Sequence, residues 1–105
     1  MEYIKQIDLD ASAWGTVREF YDAILERLGA PDWHGRSIAA LIDSMIYGNI
    51  NEISPPYTIT IRGVGRCARD VRDELSIFFR EMRRSKNEYE LQKRRAPGIC
   101  IILEQ

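Results

Sequence analysis

The stretch that decides the fold is Tyr-Thr-Ile-Thr-Ile-Arg at residues 57–62, which is followed closely by Gly63 and Gly65. β-Branched residues that alternate between polar Thr and apolar Ile favour a strand, and the glycines end it. An amphipathic stretch at residues 66–84 predicts a helix, and Ile-Cys-Ile-Ile-Leu at residues 99–103 predicts a further strand. Because this last run is apolar throughout, we expect a strand that is covered on both faces.

The first half of the chain predicts one more strand and two helices. Residues 2–8 have the apolar content of a short strand, and Ser12 can cap the helix that follows it. That helix ends at Gly29, and a second amphipathic helix spans residues 37–47. Apolar residues at three- and four-residue spacing form the buried face of the first helix: Trp14, Val17, Phe20, Tyr21, Ile24, Leu25 and Leu28. The order β-α-α-β-α-β predicts one α/β domain over residues 1–105, with a single layer of helices packed on a small parallel sheet.

The composition is typical of a globular protein without a membrane anchor or a metal site. Hydrophobic residues make up 45% of the chain, and no apolar run approaches the roughly 18–20 residues that cross a bilayer. Residues 1–6 lack the basic and apolar regions of a signal peptide, so we expect a cytoplasmic protein. Cys67 and Cys100 fit a reducing compartment, and without a CxxC motif or a His/Cys pair they predict no metal.

Catalytic machinery is hard to place in this sequence. His34 is the only histidine, and a single loop histidine is a solvent or partner contact far more often than a catalytic base. Gly63-Val64-Gly65 follows a strand, but it lacks the third glycine and the lysine of phosphate-binding loops. We therefore expect a protein that is not an enzyme and that uses no cofactor.

One face of the second helix differs from an ordinary solvated surface. It carries small residues, one carboxylate and one aromatic ring: Ala39, Ala40, Asp43 and Tyr47. Trp33 and His34 flank this face in the preceding loop. Two alanines leave the helix backbone open to a partner, which is typical of a protein interface when an aromatic residue lies beside them. The alternative is that Trp33 and Tyr47 pack back onto the core, and the pattern alone leaves both interpretations open.

The segment at residues 80–95 supports a second hypothesis for function. Its basic residues are Arg80, Arg83, Arg84, Lys86, Lys93, Arg94 and Arg95. They favour a small nucleic-acid-binding module, and the helix can continue through this segment although only Tyr89 and Leu91 offer it apolar contacts. Acidic residues are interspersed and the sequence pI is about 5.8, so an ordinary solvated helix is the default interpretation.

Three segments together are similar to the barstar family of ribonuclease inhibitors. Residues 31–43, Pro-Asp-Trp-His-Gly-Arg-Ser-Ile-Ala-Ala-Leu-Ile-Asp, match that family's loop and second helix. Phe79-Arg80-Glu81 matches its last helix, and residues 99–103 match its final strand. The resemblance implies a barstar-like three-stranded sheet and a bacterial, cytoplasmic immunity protein that blocks a ribonuclease toxin in a one-to-one complex. The helix at residues 37–47, with the loop before it, would be the plug.

The resemblance also implies roles for single residues. Asp43 corresponds to an aspartate that occupies the phosphate-binding subsite of the enzyme, where a carboxylate mimics a phosphate among basic side chains. Trp33 and His34 correspond to an aromatic pair that packs on the enzyme. Gly35 keeps the loop backbone close to the partner, and Glu81 is a second acidic contact. The partner-binding set is completed by Arg36, Ala39, Ala40 and Tyr47.

The sequence departs from the family pattern mainly in its charge. Ala39 replaces an acidic residue one turn before Asp43, and Ser85 replaces a glutamate one turn after Glu81. The net charge is only −1. Three basic residues stand near the expected interface: Arg36, Arg83 and Arg84. The polar stretch at residues 85–96 is additional. We therefore expect a nuclease target whose active-site rim is less basic than the family's usual one, or mixed in charge.

Overall fold

The sheet has three parallel strands, and the strand at residues 57–62 is the central one. The computed structural model describes residues 3–105. β1 spans Lys5–Asp10, β2 spans Tyr57–Arg62 and β3 spans Ile99–Leu103, in the spatial order β1-β2-β3. Both neighbouring pairs are parallel. The predicted α/β class, with a small three-stranded parallel sheet, is confirmed.

Helices connect the strands in the predicted order. α1 spans Val17–Leu28 and α2 spans Ile38–Asp43, and α2 continues directly into a π-helical turn at Ser44–Gly48. A short 3₁₀ turn at Val64–Arg66 precedes α3, which spans Arg69–Lys93. Two helices therefore lie between β1 and β2, and one long helix lies between β2 and β3, as crossovers between parallel strands require.

The helices cover only one face of the sheet. Ile7, Ile59 and Ile101 lie side by side in the register of the three strands, and all three are buried. Cys100 is exposed and Ile102 is 41% exposed on the opposite face. The expectation that β3 is covered on both faces is therefore wrong. Because α1, α2 and α3 all pack on the same side, alternate residues of every strand face solvent.

The first strand lies further along the chain than the sequence predicts. It begins at Lys5 rather than at residue 2, and Glu2 lies outside the described residues. Its limits follow from pairing with the central strand, since Lys5 lies opposite Tyr57 and Asp10 lies opposite Arg62. The partner strand, rather than the local apolar content, sets where β1 starts and ends.

The start of α1 also differs from the prediction, because Thr16 is its N-cap instead of Ser12. The hydroxyl of Thr16 accepts from the backbone N–H of Glu19 at 3.3 Å, and the Glu19 carboxylate accepts from the Thr16 N–H at 3.2 Å. This reciprocal pair is a capping box. Ser12 instead donates its N–H and its hydroxyl to the Asp10 carboxylate in a turn after β1. The predicted end of the helix at Gly29 is confirmed, with φ of 66°.

The long helix α3 continues well beyond the predicted core-facing segment. It is unbroken to Lys93, and Arg94 ends it in the left-handed region with φ of 57°. Tyr89 packs against the core, whereas Leu91 is 83% exposed. Tyr89 is therefore the aromatic contact that holds this part of the helix to the core. The predicted continuation of the helix is confirmed.

Candidate protein-binding face

The loop before α2 presents Trp33 and buries His34. Trp33 is 73% exposed, whereas His34 is only 5% exposed. The Nδ1 atom of His34 lies 2.7 Å from the carbonyl oxygen of Gly35, and its Nε2 atom lies 2.7 Å from Oγ of Ser44. Because a carbonyl can only accept, the first contact places a proton on Nδ1. The expectation that the His34 side chain meets solvent is wrong, because the ring is buried and fastens the loop to the helical turn that contains Ser44. Its contact with a partner stays a prediction.

A buried polar network extends from His34 to the linker before β2. Ser44 donates to the carbonyl of Leu41 at 3.0 Å and accepts from Nδ2 of Asn51 at 3.1 Å. Ser44 is 7% exposed and Asn51 is 8% exposed. A histidine beside a serine can serve as a base beside a nucleophile, but this pair is enclosed by the protein. The network is therefore a structural joint between loop, helix and linker.

The face of α2 that the sequence singled out is accessible. Ala39, Asp43 and Tyr47 are exposed, while Ala40 is half-buried. The helix begins where predicted, with the Ser37 hydroxyl accepting from the backbone N–H of Ala40 at 3.1 Å. The face therefore presents one carboxylate and one ring among small side chains.

The two aromatic residues of this face differ in their packing. Trp33 does not pack back onto the core, as its exposure shows. Tyr47 is 47% exposed, and its ring lies 5.6 Å from the ring of Tyr89 on α3. Tyr47 is thus held between the two helices while half of it remains open to solvent.

A groove of about 430 Å³ runs between α2 and α3 beside this face. Its lining comprises Ile38, Ala39, Ile42, Asp43, Tyr47, Ile77, Glu81, Arg84 and Ser85. The structure therefore brings Glu81 to the same groove as Asp43. Sequence reasoning missed Ile77, which lies off the buried stripe of α3 and is 36% exposed. The sequence did contain a signal for this residue, because an isoleucine outside the buried stripe of an amphipathic helix indicates an apolar contact on a second face.

The carboxylate of Glu81 is held by arginine side chains. Nε and one terminal nitrogen of Arg84 donate to Oε2 of Glu81 at 2.9 and 2.7 Å. The other terminal nitrogen of Arg84 donates to Glu88 at 3.1 Å, and Nε of Arg80 lies 3.8 Å from Glu81. These contacts raise the pKa of Arg84, with the hydrogen bond to Glu81 as the largest cause. Glu81 is therefore an already neutralised acid.

Arg36 is directed at α1 rather than at the groove. Its Nε donates to Oδ1 of Asp22 at 2.7 Å, and this hydrogen bond lowers the pKa of the Asp22 carboxyl. The loop is thus fastened on both sides, by His34 to the π-helical turn after α2 and by Arg36 to α1. Gly35 is exposed, and its carbonyl is the acceptor that holds the His34 ring.

The basic residues at the end of α3 form a mixed rather than a uniformly positive surface. Arg83, Lys93 and Arg94 are exposed, but Arg84 among them is engaged by Glu81 and Glu88. Within residues 3–105, no helix is both long and apolar enough to span a bilayer. In the same part of the chain, no three metal-ligating side chains form a group suited to a metal ion.

A comparison with protein families identifies the family of this chain. The model described as Barstar (barnase inhibitor) matches residues 4–102. The matched range contains β1, β2 and β3 up to Ile102, together with the loop that carries Trp33 and both walls of the groove. A search of the curated proteins gives no match.

Proposed function

The chain belongs to the barstar family, and on that premise we propose that it inhibits a ribonuclease by covering the enzyme's active site with residues 31–48. This family is one of barnase-type ribonuclease inhibitors. We further propose that the complex is one-to-one and that the protein acts in the bacterial cytoplasm as an immunity protein against a ribonuclease toxin.

The observation that carries the proposal is the exposed, unengaged carboxylate of Asp43. Asp43 is exposed, and it has no ion-pair partner among residues 3–105. An enzyme that cleaves RNA must hold a phosphate with basic side chains. A carboxylate placed there pairs with the same groups, and such charge-assisted hydrogen bonds strengthen when water is excluded.

Trp33 supports the same proposal from the loop. Large aromatic side chains dominate binding energy at protein interfaces, and 73% of Trp33 is open to solvent. The two anchors of the loop, His34 and Arg36, hold it in place before a partner arrives. A loop that is already ordered loses less conformational entropy on binding.

The proposal is tested with barnase and a panel of other barnase-type ribonucleases. Inhibition of RNA cleavage identifies a target, and isothermal titration then gives the Kd and stoichiometry. Removing one partner of a desolvated charge pair costs about 2–5 kcal/mol, so we expect Asp43→Asn to raise the Kd roughly 30- to 4,000-fold. Asp8→Asn is the matched control, because Asp8 is an exposed carboxylate on the uncovered face of the sheet.

The outcomes separate the family function from the details of the face. If no ribonuclease of the panel is inhibited, the inhibitor function is wrong for these enzymes as a class. If inhibition occurs but Asp43→Asn and Asp8→Asn both bind as tightly as wild type, the protein inhibits through another surface. A stoichiometry other than one would refute the one-to-one complex.

A further inference from the structure

The groove between α2 and α3 has an apolar floor. Ile38 and Ile42 contribute from α2 and Ile77 contributes from α3, while the half-exposed ring of Tyr47 closes one end against Tyr89. Its volume of about 430 Å³ lies within the range of pockets that enclose small ligands or inserted side chains, roughly 300–1,000 Å³. Apolar surface that is already concave gains most when an apolar group fills it.

The two carboxylates that line this groove, those of Asp43 and Glu81, differ in their contacts. Asp43 has no ion-pair partner in the described part of the chain, whereas Glu81 accepts two hydrogen bonds from Arg84. Glu88 holds Arg84 from its other side. All three residues of this chain of contacts lie on α3 at three- and four-residue spacing, so the helix itself sets the arrangement. The clamp on Glu81 is therefore built into α3 and does not need a partner to form.

We propose that Arg84 determines the specificity of this groove, so that beside the cationic site at Asp43 it takes an apolar side chain of the partner in preference to a further cation. A second cation on the partner finds no free carboxylate, because Arg84 already pairs with Glu81. To reach Glu81, this second cation would have to displace Arg84. It would also lie close to the Arg84 guanidinium, and the two positive charges would repel each other. An apolar side chain meets neither cost. This inference rests on the proposed function and names the chemistry of the partner surface.

Two N-acetylated dipeptide amides serve as probes on the full-length protein. Arginyl-tryptophan amide carries one side-chain cation beside an aromatic ring, and arginyl-arginine amide carries two cations. Binding is followed by the chemical-shift changes of ¹⁵N-labelled protein in two-dimensional NMR. We expect shifts at Ile77, Asp43 and Tyr47, and tighter binding of arginyl-tryptophan than of arginyl-arginine by wild type.

Arg84→Gln frees Glu81 and should change the preference. The ratio of the two Kd values should move toward arginyl-arginine by about two- to fivefold, the range that one exposed ion pair supplies. Arg83→Gln is the matched control, since Arg83 is exposed, adjacent in sequence and outside the groove lining. The control should keep the wild-type ratio.

Three results would overturn the inference: no binding of either dipeptide, shifts outside the groove, or an unchanged ratio in Arg84→Gln. Because the probes contain no ribonuclease, the preference is measured whether or not the protein inhibits one. If the wild-type protein inhibits no ribonuclease but shows the expected dipeptide preference, only the proposed function is refuted. Inhibition that depends on Asp43, without a dipeptide preference, refutes the role of Arg84 alone.

Discussion

Trp33 and His34 are neighbours in one loop, and replacing each by alanine should separate binding from stability. Trp33 is 73% exposed, whereas His34 is 5% exposed and makes two contacts of 2.7 Å. We expect Trp33→Ala to fold as stably as wild type and to bind a target ribonuclease poorly. His34→Ala should instead lower the free energy of unfolding.

The size of the His34 effect follows from its contacts. Each hydrogen bond contributes about 0.5–1.5 kcal/mol net, and a buried polar group left without its partner costs about 1–3 kcal/mol. His34→Ala removes two bonds, so that the Gly35 carbonyl loses its ring N–H donor and Ser44 keeps only its bonds to Leu41 and Asn51. The expected loss is roughly 2–4 kcal/mol, a large share of the typical 5–15 kcal/mol of a domain. A surface change such as Trp33→Ala stays within about 0.5 kcal/mol.

Urea denaturation followed by circular dichroism measures both effects. With a slope of about 2 kcal/mol per molar urea, in the middle of the usual range, the midpoint for His34→Ala should fall by roughly 1–2 M. The midpoint for Trp33→Ala should match wild type within about 0.3 M. Titration calorimetry against an inhibited ribonuclease should show the Kd of Trp33→Ala raised about 30-fold or more, as for an interface hot spot.

Two results would refute this reasoning. If His34→Ala unfolds at the wild-type urea concentration, the contacts to Gly35 and Ser44 do not hold the loop. If Trp33→Ala loses several kcal/mol of stability, the indole packs on the core in solution. In that second case Trp33 would be unsuited to anchor a partner.

Three further predictions concern the caps and the loop anchor, and each is measured by urea denaturation. Thr16→Ala should cost about 1 kcal/mol, since it removes the capping box, and an unchanged midpoint would contradict that. Gly29→Ala should cost more than about 1 kcal/mol, because φ is 66° and an added Cβ would lie 2.7 Å from a side-chain carbon. Gly15→Ala, with nothing nearer than 3.6 Å, is its control. Arg36 lowers the pKa of Asp22, so Asp22→Asn should be less stable than wild type at pH 7, with a difference that shrinks below pH 3.8; a pH-independent difference would contradict this.

Local rules predicted the elements whose limits depend on their own residues. The strand at residues 57–62, the end of α1 at Gly29 and the start of α2 at Ser37 lie where the pattern puts them. Each depends on a short-range property: β-branched alternation, a left-handed turn or a side-chain cap. The predicted N-cap of α1 was wrong for a related reason. Thr16 and Glu19 together satisfy two backbone N–H groups, whereas Ser12 is hydrogen-bonded to the Asp10 carboxylate.

Local rules did not predict correctly which side chains of the loop and of β3 are buried. His34 looks like a loop residue in sequence, but the helix that follows carries Ser44 back to meet its ring. The apolar run of β3 looks like a doubly covered strand, but all helices pack on one side of the sheet and leave Ile102 exposed. Neither outcome is encoded in the residues next to these positions. Both depend on which surfaces meet when the elements assemble.

By itself, the sequence determined the order of the strands and helices along the chain, the small residues on one face of α2 and the carboxylate at Asp43. These follow from residue type and period, which act over a few neighbouring residues. Only the tertiary structure decided that α3 packs beside α2, so that Ile77 and Glu81 complete a groove with Asp43 and Tyr47. That decision rests on the burial of apolar surface between distant parts of the chain. No local pattern specifies it, because the groove exists only once both helices lie on the same face of the sheet.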